Sequence, residues 1–230
     1  YYIDDKGNLK EMSNVVYDEK TKTISFKTDH FSKFAVGYKQ SNAADEEVFT
    51  DIDKHWAKDD IAFVIQRGLF GGTEKDKFSP DMMMTRGMFV TVLGRLANAD
   101  VGNYSQSHFT DVKIGSYYLP YIEWANKNNI VSGMSSESFA PDKAITREQM
   151  AVIMANYSKM TGFEFPQLQS EMSFEDESEI SSFAKDSVKQ MQMARIISGR
   201  KANQFTPKGT ATRAEVSAVL KRYIELIEKK

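Results

Sequence analysis

The sequence has no cysteine and only three histidines, His30, His55 and His108, in 230 residues. Without cysteine there are no disulfides, no thiolate catalysis and no cysteine-ligated metal. Three histidines leave little for a histidine metal site or a catalytic triad. No apolar run approaches the roughly 18 residues that a membrane-crossing helix needs. Neither sign of charge dominates: 30 lysines and arginines against 32 aspartates and glutamates give a net charge of −2. A polybasic role toward nucleic acid or membrane is therefore disfavoured, since both require a positive excess. What is present is 41% hydrophobic and 27% charged residues, enough for one or two packed cores.

The first forty residues are β-rich. Tyr1-Tyr2-Ile3, then Val15-Val16-Tyr17, then Thr23 to Lys27 read as strands, with Ile24 and Phe26 on one half-buried face. Phe31 to Tyr38 is a further β-rich stretch. So few strands make a poor independent core. There is no initiating methionine or signal-peptide pattern at the start, so we expect residues 1–40 to be the C-terminal part of an upstream β domain. Polar and small residues follow, and we place a linker at 41–47.

The rest of the chain is internally repeated. Gly72, Phe78, Pro80, Thr85 and Arg86 recur at the same spacings as Gly133, Phe139, Pro141, Thr146 and Arg147, and again as Gly199, Phe205, Pro207, Thr212 and Arg213. Each unit opens on Phe-x-Asp, at Phe49/Asp51, Phe109/Asp111 and Phe174/Asp176. Sixteen residues before each glycine stands an aromatic: Trp56, Tyr117, Phe183. The units span 48–101, 108–162 and 173–228.

Each unit reads as helix, loop, helix. The first helix of the first unit is expected over 56–66, with Ile61 and Val64 buried, and Ile122, Ala125, Val188 and Met191 as their equivalents. In the loop, proline favours an extended residue before it and stops the first helix. The second helix starts at Thr-Arg. Its apolar positions are Phe89, Val92, Leu93 and Leu96, then Met150, Ile153, Met154 and Tyr157, then Val216, Val219, Leu220 and Tyr223. One such unit has too little core to fold alone. We expect a mainly α domain over 48–228, closed about an approximate threefold axis with a central three-helix bundle. An open solenoid is the alternative.

The threonine has a capping role: Thr146 with Gln149 and Thr212 with Glu215 fit a capping box, while Thr85 caps alone because Met88 replaces the partner. The arginine is less easily explained, since a cation at a helix start opposes the dipole by about 0.3–1 kcal/mol. Arg86, Arg147 and Arg213 either lock units together by pairing with Asp51, Asp111 and Asp176, or join free helix-start amides in an anion site. Both readings stay open, and on the second an arginine-to-alanine change leaves stability nearly unaltered. The aromatics are either core residues or platforms for sugar rings. The aspartates either accept hydrogen bonds from sugar hydroxyls or cap the first helix. Gly72, Gly133 and Gly199 supply either a left-handed turn or room for close ligand approach.

Taken together, Phe-x-Asp, Trp56-Ala57, the glycine, Phe-x-Pro and Thr212-Arg-Ala-Glu215 resemble the S-layer homology domain, in three tandem copies over residues 47–228. The resemblance implies a three-pronged helical spindle. It also implies non-covalent attachment of a surface protein to a secondary cell-wall polysaccharide, commonly one carrying pyruvate ketals, in grooves between units that use the motif arginine. On that reading the glycan-binding candidates are Arg86, Arg147, Arg213, Asp51, Asp111, Asp176, Trp56, Tyr117, Gly72, Gly133 and Gly199. The partner is an anionic wall glycan, the place is the bacterial surface, and no cofactor, metal, nucleic acid or membrane insertion is implied. The segment around His30 to Val36 also looks like what precedes such modules, so we expect a C-terminal anchor and a monomeric module with internal threefold pseudo-symmetry.

The copies differ. The first reads Thr-Arg-Gly-Met and the second Thr-Arg-Glu-Gln, and only the first keeps the tryptophan. The third carries Phe183 and an acidic opening, Ser173 to Glu179, so Arg213 is expected to contribute least to binding. Two other function classes are weighed. No carboxylate pair stands at a motif position, which speaks against a glycosidase-type enzyme. The twelve methionines, including Met82-Met83-Met84, would suit a protein-interaction or self-assembly surface.

Overall fold

The computed structural model describes residues 2–3, 9–10, 16–18, 23–28, 33–34 and 49–229, and the chain divides into two compact units, 1–46 and 47–230. In the first unit, β1 (Tyr2–Ile3) pairs antiparallel with both β2 (Leu9–Lys10) and β5 (Lys33–Phe34). A separate antiparallel pair joins β3 (Val16–Asp18) to β4 (Thr23–Ser25). Ile24 and Phe26 are exposed, not half-buried as their alternation predicts. Of the β-rich stretch expected over 31–38 only β5 is described, and its other residues and the linker expected at 41–47 lie outside the described residues.

The second unit is helical. Its first helices are α1 (Lys58–Gln66), α3 (Leu119–Lys127) and α5 (Lys185–Met193). Its second helices are α2 (Arg86–Leu96), α4 (Arg147–Met160) and α6 (Arg213–Glu228). The buried stripes fall where the 3.6-residue period puts them. Ile61, Val64, Ile122, Ala125, Val188 and Met191 are all buried on the first helices, and Val92, Ile153 and Val219 on the second.

The first helices end alike, and not through the proline. Gly68, Asn129 and Arg195 occupy the left-handed region at φ 67°, 57° and 58°. The next amide then reaches back to close the helix: Leu69 N to Val64 O at 3.0 Å, Ile130 N to Ala125 O at 2.8 Å, Ile196 N to Met191 O at 2.9 Å. Leu69, Ile130 and Ile196 are thereby turned into the core.

The second helices begin as expected. The side chains of Thr85, Thr146 and Thr212 accept from the third helical amide, with a complete capping box at Thr146 and Thr212 and threonine alone at Thr85.

Closure is visible in three backbone hydrogen bonds. Met84 N donates to Ala211 O at 2.9 Å, Ala211 N to Ile145 O at 3.1 Å, and Ile145 N to Met84 O at 2.9 Å. These are the residues preceding the three capping threonines, one from each repeat, and the bonds run head to tail around a triangle. A linear stack cannot make that circuit, so the solenoid alternative is excluded. Outward from the triangle, each second helix lies against the first helix of the following repeat: α2 on α3, α4 on α5, and α6 back on α1. The last pairing is reinforced by Arg67–Glu228 and Lys221–Asp60 ion pairs, both at 3.0 Å. These three pairs are the prongs.

A ring fails as a whole. Deleting residues 213–230 removes α6, the helix that packs on α1 and closes the ring, so the truncated chain is expected to lose cooperative unfolding and most of its helical circular dichroism. Retention of two-thirds of the helical signal with a sharp melt would mean that the repeats fold independently.

Candidate functional site

The motif residues converge on the loops between first and second helices. Phe78, Phe139 and Phe205 are fully buried against the opening phenylalanines Phe49, Phe109 and Phe174, with ring centroids 5.7, 5.5 and 5.2 Å apart. Ser79, Ala140 and Thr206, the residues before the prolines, are left-handed at φ 57°, 56° and 52°, contrary to the extended conformation predicted for them. The opening aspartate of each repeat holds that turn. Asp51 accepts from Phe78 N at 3.0 Å and Ser79 N at 2.8 Å. Asp111 accepts from Phe139 N and Ala140 N, both at 2.8 Å, and from Ser138 Oγ at 2.6 Å. Asp176 accepts from Phe205 N and Thr206 N, both at 2.7 Å. The aspartates therefore neither cap the first helices nor present empty oxygens to solvent. Burial opposes ionisation of Asp51 and Asp111, but the donated hydrogen bonds outweigh it and hold both carboxyls below their ordinary value.

The arginines are buried and cross to the next repeat. Arg86 Nε donates to Phe139 O at 2.9 Å and its Nη2 to Ser132 O at 3.3 Å. Arg147 does the same with Phe205 O at 2.7 Å and Ser198 O at 2.8 Å. Arg213 closes the cycle on Phe78 O at 2.8 Å and Gly71 O at 2.7 Å. Each guanidinium carbon also lies over the ring of that same phenylalanine, at 4.5, 4.9 and 4.3 Å. The lock between units is thus arginine to carbonyl, not arginine to aspartate. Burial lowers the pKa of all three, to about 10 for Arg147 and Arg213, which leaves them charged at neutral pH. The helix-start amides are not free either. Arg86 N, Arg147 N and Arg213 N donate to Lys143 O, Gly209 O and Met82 O, and the next amides to Pro141 O, Pro207 O and Pro80 O.

Gly72, Gly133 and Gly199 do not have positive φ, so the left-handed reading is wrong for them. Their requirement is space. A Cβ on Gly72 would stand 2.7 Å from Phe49 Cε1, one on Gly133 2.2 Å from Ser135 O, and one on Gly199 3.0 Å from Asn203 Oδ1. They let the loop fold over on itself.

The aromatics are not core. Trp56, Tyr117 and Phe183 are 65%, 55% and 62% exposed. The Tyr117 hydroxyl lies within electrostatic reach of Arg213 and Arg95, and burial of the phenol raises its pKa ahead of those charges. Arg213 of the third repeat, the first-repeat loop that it grips, and Tyr117 of the second repeat are thus neighbours. Trp56 and Phe183 are the repeat equivalents of Tyr117. Among the described residues, Nη1 of Arg86 and Arg213 has no hydrogen-bond partner. Arg147 Nη1 stands 4.0 Å from Glu215, which Arg200 grips at 2.7 Å.

One set of residues escaped sequence reasoning. Arg95, Asn156 and Arg222, nine positions beyond each motif arginine, donate to Leu69 O, Ile130 O and Ile196 O at 3.0, 3.1 and 3.2 Å. Their fixed offset was the available signal.

Two outcomes follow for stability. Arg147→Ala leaves Phe205 O and Ser198 O without their donor, so the loss is expected to be about 2–4 kcal/mol, read as a lower melting temperature. This reverses the expectation of little change. For acid, the sign is set by the depressed aspartates: their contribution is complete above the unfolded value near 4 and is lost as pH falls through the lower folded value. Melting temperature should therefore fall steeply below about pH 4, and Asp111→Asn should melt lower at pH 7 with a flatter acid limb.

Comparison with known proteins agrees with the repeat boundaries. A family model described as the S-layer homology domain matches residues 48–87, 108–151 and 173–217, more than half of the chain. The chain is 32% identical over 226 residues to an amylopullulanase of Thermoanaerobacterium thermosulfurigenes, covering 98% of this chain and 12% of that protein. It is 25% identical over 183 residues to an S-layer protein of Bacillus thuringiensis subsp. finitimus, covering 76% and 21%. To a cellulosome-anchoring protein of Acetivibrio thermocellus it is 31% identical over 111 residues, covering 46% and 25%. The chain thus spans a quarter or less of the length of each of these relatives.

Proposed function

The chain belongs to the S-layer homology family, whose place is the cell surface and wall, and from that premise we propose that residues 47–230 hold a surface protein to the wall without a covalent bond. The ligand is an acidic secondary cell-wall polysaccharide, bound in the grooves between repeats. A sugar ring stacks on Trp56 or Tyr117, and a carboxylate substituent, such as a pyruvate ketal, takes the remaining guanidinium edge of the motif arginine. The observation that supports this best is an exposed Tyr117 within reach of Arg213 from another repeat, an aromatic platform beside a fixed cation. No catalytic step is assigned to this chain.

A second reading has its own observation. Ile114 is 80% exposed, and Met83 and Met134 are about half exposed, which suits contact with another copy of the chain. Purified sacculi separate the two. The chain is expected to sediment with intact sacculi and to stay in solution once the polysaccharide has been removed from them. Equal sedimentation with stripped sacculi, or concentration-dependent self-association without any sacculi, would favour the second reading.

A further inference from the structure

We propose that the three grooves are unequal, and that the acidic glycan is held in two of them, those of Arg213 and Arg147, because a second guanidinium joins the first in each. This rests on the anchoring reading above. The argument starts from two fixed offsets. The motif arginine of one repeat grips a loop carbonyl of the next, at Gly71, Ser132 and Ser198. Two residues earlier in the same loops, at Leu69, Ile130 and Ile196, the carbonyl is gripped by the side chain nine residues into the second helix. Two residues of chain span at most about 7 Å, so both side chains face one short stretch of loop. In the first and third loops that second side chain is an exposed arginine, Arg95 or Arg222. In the second loop it is Asn156, which makes the same hydrogen bond without the charge.

The aromatics sort the same way. Tyr117 lies within reach of both Arg213 and Arg95. By the threefold relation Trp56 serves the groove of Arg147 and Arg222, and Phe183 that of Arg86 and Asn156. The Arg86 groove therefore combines one guanidinium, a ring with no hydrogen-bonding group, and a neutral amide. The departure that sequence reasoning charged against Arg213 belongs to Arg86. In the two richer grooves a ligand carboxylate can take the motif arginine, while the second arginine meets a hydroxyl or the next acidic substituent along the polymer. The acids that act on these sites are Asp51 on Arg213, Asp142 on Tyr117, and Asp176 and Glu215 on Arg147; Asp51 and Asp176 already accept two backbone amides each, and Glu215 is held by Arg200.

The experiment is calorimetric titration of a short, size-fractionated fragment of wall polysaccharide released from the sacculi. The full chain is expected to show two sites. Arg95→Gln and Arg222→Gln keep a side-chain amide for the loop carbonyl, as Asn156 does, so melting temperature should hold while one site in each variant weakens about tenfold or more. Phe183→Ala should leave both sites unchanged, and Asn156→Arg should add a third. Three equivalent sites in the unmodified chain, or unaltered binding in both glutamine variants, would overturn the inequality while leaving wall anchoring intact. No binding of the fragment by the unmodified chain would instead remove the anchoring reading, and this inference with it.

Discussion

The peptide of one phenylalanine in each repeat carries the whole assembly. Its N–H goes to the aspartate that opens its own repeat, and its C=O goes to the arginine of the preceding repeat. A carboxylate and a guanidinium are thus joined through a single buried residue, three times around a ring. Asp111, Asp176 and Asp51 each favour the charge on the arginine at the other side of that residue. The phenylalanine ring adds a face for the guanidinium carbon. Losing the aspartate orphans two amides of its own repeat, and losing the arginine orphans two loop carbonyls of the next repeat, and either loss is costly.

This arrangement answers why a cation stands where the helix dipole opposes it. The dipole at a helix start resides largely in unpaired N–H groups. Here the first two amides of each second helix already donate to carbonyls of the next repeat, and the third to the threonine cap. The arginine then points away from its own helix into carbonyl oxygens of a neighbour. The unfavourable term is small, and the gain is a junction. The same burial fixes the guanidinium in one orientation, so that whatever edge it leaves uncovered is preorganised for an anion. Structural lock and candidate binding group are therefore one residue, and any loss of binding in an arginine variant has to be read beside its stability.

Much of this was legible. The fixed offsets disclosed three repeats, the 3.6-residue period gave Ile61, Val64, Ile122, Ala125, Val188 and Met191 their buried places, and the threonine three residues before Gln149 or Glu215 announced the helix starts. Other features left no trace in one sequence. Nothing in a repeat says which neighbouring repeat its arginine will reach. The turn at Ser79, Ala140 and Thr206 is left-handed despite the following proline, and an aspartate 28, 29 or 30 residues earlier accepts its amide and the one before it, a constraint that local propensity does not contain. The motif glycines looked like turn formers and prove to be spacers, a distinction that depends on what folds over them. Trp56 and Tyr117 could not be told from core aromatics, because both stand just before their helices, which start at Lys58 and Leu119, where the helical period no longer says which side faces the core.

A groove assembled from three repeats changes how sequence departures should be weighed. In a simple array, a weak copy weakens its own site. In the proposed grooves the aromatic, the gripped loop and the arginine come from successive repeats, so a substitution in the third repeat would act on the site of the first repeat's arginine. The same cyclic offset spreads advantages. Arg200 and Glu215 both lie in the third repeat, yet the guanidinium they surround is Arg147 of the second. Gly209, where the other repeats have Met82 and Lys143, leaves the room that Arg200 occupies, with the Arg200 Nη1 only 3.0 Å from where a Cβ would stand. Departures that look like decay when the copies are aligned in a column are, in the folded ring, matched sets that distribute different chemistry to each groove.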